Sequence, residues 1–356
     1  MAIRNVIDGS DVDDVVAYGL TGPGARIVDR VRIDRGPIGG VAVTADGTRL
    51  LATNYGDDTV SVIDTASCTV VATVFQADEP FSIAVGPAGT ARAYVTAGSM
   101  ALDAVLAIDV DAAEVTGCYP VAMGIGDLVA DPMGSRVYAT RTGSTGIEVL
   151  ALDATMRPAG AVRVAGDPAA AAACLRISPD GRRLYVAVRQ PTGDTVTVLD
   201  RQLNVVDVIK VASTVVDVAV SADGARLFVA TSGPDGRGAV KVVDSRTHAV
   251  SAGFVVDTQL IQLIVSRNGD RVYLVTAAGI LVMCARTDEA LGALTLTTAP
   301  SCVAESPDGS RLYIAGFDGT VAVASLTDLP APSASLHEQL ALDDAVSRML
   351  QLEPAL

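Results

Sequence analysis

Short apolar runs separated by polar turns fill this chain from residue 25 to residue 326. The stretch "SPDGRRLYVAV" (178–188) shows the unit. An apolar run ends at a Pro-Asp-Gly turn, where Gly181 supplies the positive φ that such turns demand. The run "RLYVAV" then predicts a second strand, and "DTVTVLD" (194–200) a third after a polar loop. A turn leads to a fourth, "NVVDVIKV" (204–211). β-Branched residues and alternation favour strands over helices here.

The unit recurs. Its turn glycines are Gly47, Gly89, Gly134, Gly181, Gly224, Gly269 and Gly309, spaced 40 to 47 residues apart. An arginine stands two places after the glycine in six copies; in the second copy it is Arg92, three places after. Seven four-stranded units predict an all-β fold, a seven-bladed propeller of antiparallel blades. Radial closure leaves few exposed sheet edges. The seventh unit has "GTVAVAS" (319–325) as its third strand and then a linker, so the segment 25–33 is expected to complete it. Residues 13–20 read as a further outer strand.

The strand that follows each turn ends in "LATN", "YVTA", "YATR", "YVAV", "FVAT", "YLVT" or "YIAG". With "DDTVSVIDTASCTVVATV" (57–74), these endings resemble the YVTN family of propeller repeats, over roughly residues 34–326. The resemblance implies the fold. It implies no single activity, since related propellers serve as binding proteins, enzyme subunits and surface proteins.

In a propeller the first strand of each blade lines the central channel, with every second side chain inward. Seven places before the turn glycines stand Gly40, Ser82, Asp127, Cys174, Asp217, Gln262 and Cys302. All are small or polar, so this ring is expected to face the channel. Six places before stand Val41, Ile83, Leu128, Leu175, Val218, Leu263 and Val303, which are expected to pack into the blades. Five places before, the residues are mostly small except Arg176. Arg176 belongs to the fourth blade, and Asp127 and Asp217 to its two neighbours. A guanidinium between two carboxylates is a natural charge cluster. It reads either as a channel-mouth pocket for a small polar or anionic ligand or as a structural ion cluster. Ser82 and Gln262 join the candidate ligand-binding set, as do Asn54 at the end of "LATN" and Arg141 and Arg189, expected on loops at the mouth.

Composition narrows the function. A net charge of −15 argues against nucleic acid and against anionic membrane surfaces. No apolar run is long enough for a bilayer, and the charged first residues lack a leader's apolar core. Five scattered cysteines without CxxC spacing read as reduced thiols in a cytoplasm, in a high-GC, actinobacterial kind of organism by Ala, Val and Arg usage. Cys174 and Cys302 read as buried, inert thiols more readily than as reactive ones. With two histidines, His248 in a turn on the far side and His337 in the tail, no Ser-His-Asp arrangement is expected at the mouth. No zinc spacing or haem motif occurs, no tryptophan is present, and no cofactor is expected. The acidic "DGSDVDD" (8–14) lacks the pattern of a calcium hand, and "GPDGRG" (233–238) lies between strands, unlike a phosphate loop. The expected function is non-catalytic binding of a small molecule or a protein at the channel mouth. The alternative is a lactonase-like hydrolase, lyase or isomerase working through Asp127, Asp217 and Arg176.

The propeller is expected to occupy 1–326, followed by a Pro/Ser linker over 327–335. Ser335 and Glu338 form a capping box for an amphipathic helix over 336–353, which suits docking on the propeller or joining a second copy.

Overall fold

The computed structural model describes residues 25–329 apart from 100, 101, 123 and 288, together with the backbone of Val6–Ile7 and Ala17–Tyr18. It contains seven sheets, each with a four-stranded antiparallel core. Blade 4 shows the plan, with strands Ala171–Ile177 (A), Arg183–Arg189 (B), Asp194–Asp200 (C) and Val205–Val211 (D) side by side in that order. In blade 7 the fourth position is taken by Arg26–Arg32, antiparallel to Thr320–Ser325, with Val31 opposite Val321. The ring therefore closes with one strand from the start of the chain and three from the end. Val6–Ile7 and Ala17–Tyr18 add short parallel outer strands to blades 4 and 5. Among the described residues the one helical element is the short 3-10 turn Tyr55–Asp57, and no helix is long and apolar enough to cross a membrane. The expected helix over 336–353, and the expected linker beyond Leu329, lie outside the described residues.

Each junction between blades holds one apolar cluster, seven in all. Between blades 4 and 5, Tyr185, Val198 and Ile209 pack against Val218, Leu227 and Val243. The strand-B aromatics carry much of this burial: Tyr138, Phe228, Tyr273 and Tyr313 are each almost wholly enclosed.

The recurring turn is a hydrogen-bonded device. Ser178 Oγ donates to Asp180 at 2.6 Å and accepts from the Arg183 N–H at 2.9 Å, while Gly181 takes φ 68°. Ser221, Ser266 and Ser306 likewise accept from Arg226, Arg271 and Arg311. In three blades the recurring arginine staples one blade to the next. Arg92, Arg136 and Arg311 donate to the carbonyls of Ala154, Arg201 and Thr65 at 2.7, 2.7 and 2.9 Å, each in the outer turn of the following blade.

Removal of residues 1–33 should leave Thr320–Ser325 as a bare edge. The expected outcome is aggregation in size-exclusion chromatography and a lower melting temperature than the full chain. The turn carboxylates contribute to the loss of stability in acid. Hydrogen bonds from Thr44, Ser178, Ser221 and Ser306 hold Asp46, Asp180, Asp223 and Asp308 below the usual 3.8. Their contribution is present above the unfolded value and lost as pH falls below it. Burial raises Asp217 and Glu305 instead, so these two gain slightly on acidification before the loss begins. Thermal melts from pH 7 to pH 3 should therefore stay nearly flat at first and then drop steeply below pH 3.8.

Candidate functional site

Strand A does not run as an unbroken pleat. In five blades its pairing with strand B slips just before the residue seven places ahead of the turn glycine, as between Ala172 and Cys174 or Val215 and Asp217, and in blade 3 the slip, between Ile125 and Leu128, spans Asp127. The threonine of the strand-B ending meets this bulge: Thr96 and Thr140 accept the N–H of Ser82 and Asp127 at 2.9 and 3.0 Å. In blade 1 the ring position is Gly40, where a Cβ would stand 2.7 Å from the Phe81 carbonyl oxygen.

The bulge turns the ring side chains along the ring, toward the next blade. Ser82 Oγ donates to Asp127 Oδ1 at 2.6 Å. Asp127 accepts the N–H of its own neighbour Leu128 at 2.9 Å and of Leu175, in blade 4, at 3.0 Å. Asp217 does the same with Val218 at 2.8 Å and with Leu263, in blade 6, at 2.9 Å. Gln262 Oε1 accepts the N–H of Val303, in blade 7, at 2.9 Å. Arg176 joins the two carboxylates, with 2.6 Å to Asp127 and 2.6 Å to Asp217, and also donates to the Leu175 carbonyl at 2.7 Å. Asp127, Arg176, Asp217 and Ser82 thus form one connected cluster, and Gln262 repeats the same bond one blade on.

The cluster is enclosed at one end only: the Asp217 side chain is 4% exposed, Asp127 20% and Arg176 24%. Burial raises the Asp217 carboxyl, with Arg176 and two backbone N–H groups pulling it back down. For Arg176, burial opposes the charge, and Asp217 and Asp127 more than offset it, so its proton is held more tightly than usual. Burial, then the nearby Asp217 charge, pushes the Cys174 thiol well up, and burial pushes Cys302 up to about 12. Neither sulfur is a thiolate nucleophile near neutral pH. All five cysteines are free thiols.

Three candidates fall elsewhere. Arg141 and Arg189 lie on strand B, within Arg136–Gly143 and Arg183–Arg189, and not on loops. Arg141 is taken by Glu148, at 2.9 Å from Nε and 2.6 Å from Nη2, and Arg189 Nε donates to the Val215 carbonyl at 2.7 Å. Asn54 is fully enclosed, donating to Thr59 and Ser61 at 2.9 and 3.0 Å. Among the described residues, no group of three or more His, Cys, Asp or Glu has the geometry of a metal site.

The mouth carries another feature that the ring alignment does not reveal. Three of the five phenylalanines are exposed on its loop face, Phe75 at 65%, Phe317 at 57% and Phe81 at 54%. Phe81 lies against Gly39 at the inner end of blade 2, and Phe317 sits on the B–C loop of blade 7. Phe75 lies under the guanidinium of Arg35, which pairs with Asp57; Tyr55, 41% exposed, bonds Glu79. The signal was available: these residues fall in D–A and B–C loops, where an aromatic side chain finds no core.

Seven blades, a ring of blade-to-blade hydrogen bonds and a strand from the chain start closing blade 7 define a seven-bladed β-propeller protein. The chain belongs to the family of the "Seven-bladed beta-propeller protein Rv1057" of Mycobacterium tuberculosis (strain ATCC 25618 / H37Rv), with which it is 38% identical over 375 residues, covering 95% of this chain and 93% of that protein. A chain of "Kuenenia stuttgartiensis Hydrazine Synthase" has the same fold, with TM-score 0.72 and 18% identity, over 83% of this chain and 97% of that one. No family model matches the chain.

Removing the Arg176 guanidinium should leave two carboxylates facing each other across a half-buried site. Arg176→Ala should then destabilise by about 3 kcal/mol, the lower end for a broken buried pair because Arg176 is partly exposed. Asp127→Asn and Asp217→Asn added to Arg176→Ala should restore much of the loss. Urea unfolding of the single and triple variants measures both.

Proposed function

We propose that this protein is a non-catalytic interaction propeller, built of YVTN-like repeats and working in the cytoplasm, that docks a partner protein on the loop face around its channel mouth, over blades 7, 1 and 2. The observation that carries this reading is the exposure of three of five phenylalanines on that one face, with Tyr55 beside them. Exposed aromatic side chains gain most by being covered, and such residues anchor protein interfaces.

The rim supplies the partner's chemistry. Asp34, Asp57, Asp58, Asp78, Glu79 and Asp318 are exposed there, and Arg35 answers only Asp57. A segment combining basic and apolar side chains fits this face. The chain's own residues 330–356 do not, carrying Arg348 against Glu338, Asp343, Asp344 and Glu353. A small anionic ligand at Arg176 is the weaker reading, since two carboxylates already surround that guanidinium. Catalysis by the same residues is weaker too, because both carboxylates are occupied by backbone N–H groups and by Arg176. The hydrazine synthase likeness supports the fold alone.

Photocrosslinking in the protein's own host tests the proposal. Benzoylphenylalanine at positions 81 and 317 should capture one partner through a basic segment, and at position 133, on the opposite face, should not. The double variant Phe81→Ser, Phe317→Ser should weaken that complex about tenfold or more and alter stability by under about 0.5 kcal/mol. Equal capture from all three positions, or capture through an acidic segment, would overturn it.

A further inference from the structure

At the other end of the strands, between blades 4 and 5, lies a cleft of about 420 Å³. It opens at a junction where the arginine staple is not made. Arg183 is the blade 4 counterpart of Arg92, Arg136 and Arg311, which are half-buried, yet it is exposed. Its Nη1 reaches only the adjacent Arg182 carbonyl, at 3.4 Å, and not the outer turn of blade 5. Arg246, on that outer turn, lines the same cleft. Among the described residues, neither guanidinium has a carboxylate in ion-pair contact.

Tyr185 lies at the base. The residue is only 2% exposed and lines the cleft, and its hydroxyl has no hydrogen-bond partner among the described residues. The equivalent Tyr273 donates to Glu305 at 2.7 Å. The hydroxyl opens on the cleft, so it is free to bond whatever occupies that space. The carboxylates of the lining have partners, and the hydrogen bonds to Asp180 and Asp223 fall on one oxygen of each. Asp207 pairs with His248 Nδ1 at 2.8 Å, and Asp180 and Asp223 accept the hydroxyls of Ser178 and Ser221 and the N–H groups of Arg182 and Ala225.

We infer that this cleft is a second binding site, for a small hydroxylated molecule bearing one oxyanion, carboxylate or phosphate. Arg183 and Arg246 hold the oxyanion and Tyr185 donates its hydroxyl to it. The outward edges of Asp180 and Asp223 accept from the ligand's hydroxyl groups. A charge-assisted bond replaces the missing staple, so the ligand ties the two blades together.

Calorimetric titration with glycerol 3-phosphate, glycerate and glycerol separates the possible head groups on one backbone. Saturable binding is expected for the phosphate or the carboxylate and none for glycerol. Whichever of the two binds identifies the oxyanion. Tyr185→Phe, which keeps the ring, and Arg183→Gln should each weaken binding about tenfold, the size of one charge-assisted hydrogen bond. Phe81→Ser, at the opposite end, should leave it unchanged, which separates this site from partner docking. No binding of either acid, equal binding of glycerol, or affinity indifferent to Tyr185→Phe and Arg183→Gln would overturn the inference.

Discussion

A side chain from one blade that accepts the backbone N–H of the next is the interaction on which this ring depends. Neighbouring blades share no ladder, so their inner strands meet edge to edge with polar backbone groups in an apolar junction. Asp127, Asp217 and Gln262 bond these groups across three junctions. The carboxylates bring their own problem, one buried and one half-buried negative charge, and Arg176 between them is the answer. The cluster follows from the need to join blades, and this explains why it lies in consecutive blades at one level of the channel.

Much of this architecture was legible in the sequence. The turn glycines, the arginine after them and the aromatic-led strand gave the blade count, because each has a local physical cause. The alignment on glycines also brought Asp127 and Asp217 to one level and Arg176, in the blade between them, to the next. The direction of their side chains was not legible. Strict alternation aims the two carboxylates into the channel, but a slip in register, just before Asp217 and around Asp127, accompanies their turn along the ring. A bulge depends on the partner strand and leaves little local signal. The threonines that receive it were visible only as part of the YVTN-like ending. Asn54 and Arg141 were misplaced for a related reason: each finds its partner, Thr59 or Glu148, on the adjoining strand C, which a single-strand pattern does not display.

The two ends of the propeller use their surfaces differently. At the mouth, apolar rings stand in a field of carboxylates around blades 7, 1 and 2. At the far end the junctions differ in how their arginines are engaged: Arg136 and Arg311 cross to the next blade, Arg49 turns back to Asp64, and Arg226 lies over Phe228. One repeated residue thus does several jobs because each junction offers it a different neighbour. Family membership with the mycobacterial propeller fixes the frame on which these differences sit.

Closure of blade 7 has a consequence for synthesis. The strand Arg26–Arg32 leaves the ribosome ahead of the rest of the ring, and its partner Thr320–Ser325 among the last of it. For most of translation it has no strand to pair with, and the loop it must close is nearly the whole chain. Its sequence is suited to that wait. In "RIVDRVR" three arginines and an aspartate interrupt the apolar positions, and in the finished ring Val31 is buried while the charged residues stay outside. Charge on a waiting edge discourages the wrong pairing. The same side chains that make this a poor strand on its own keep it available for the single partner that arrives last.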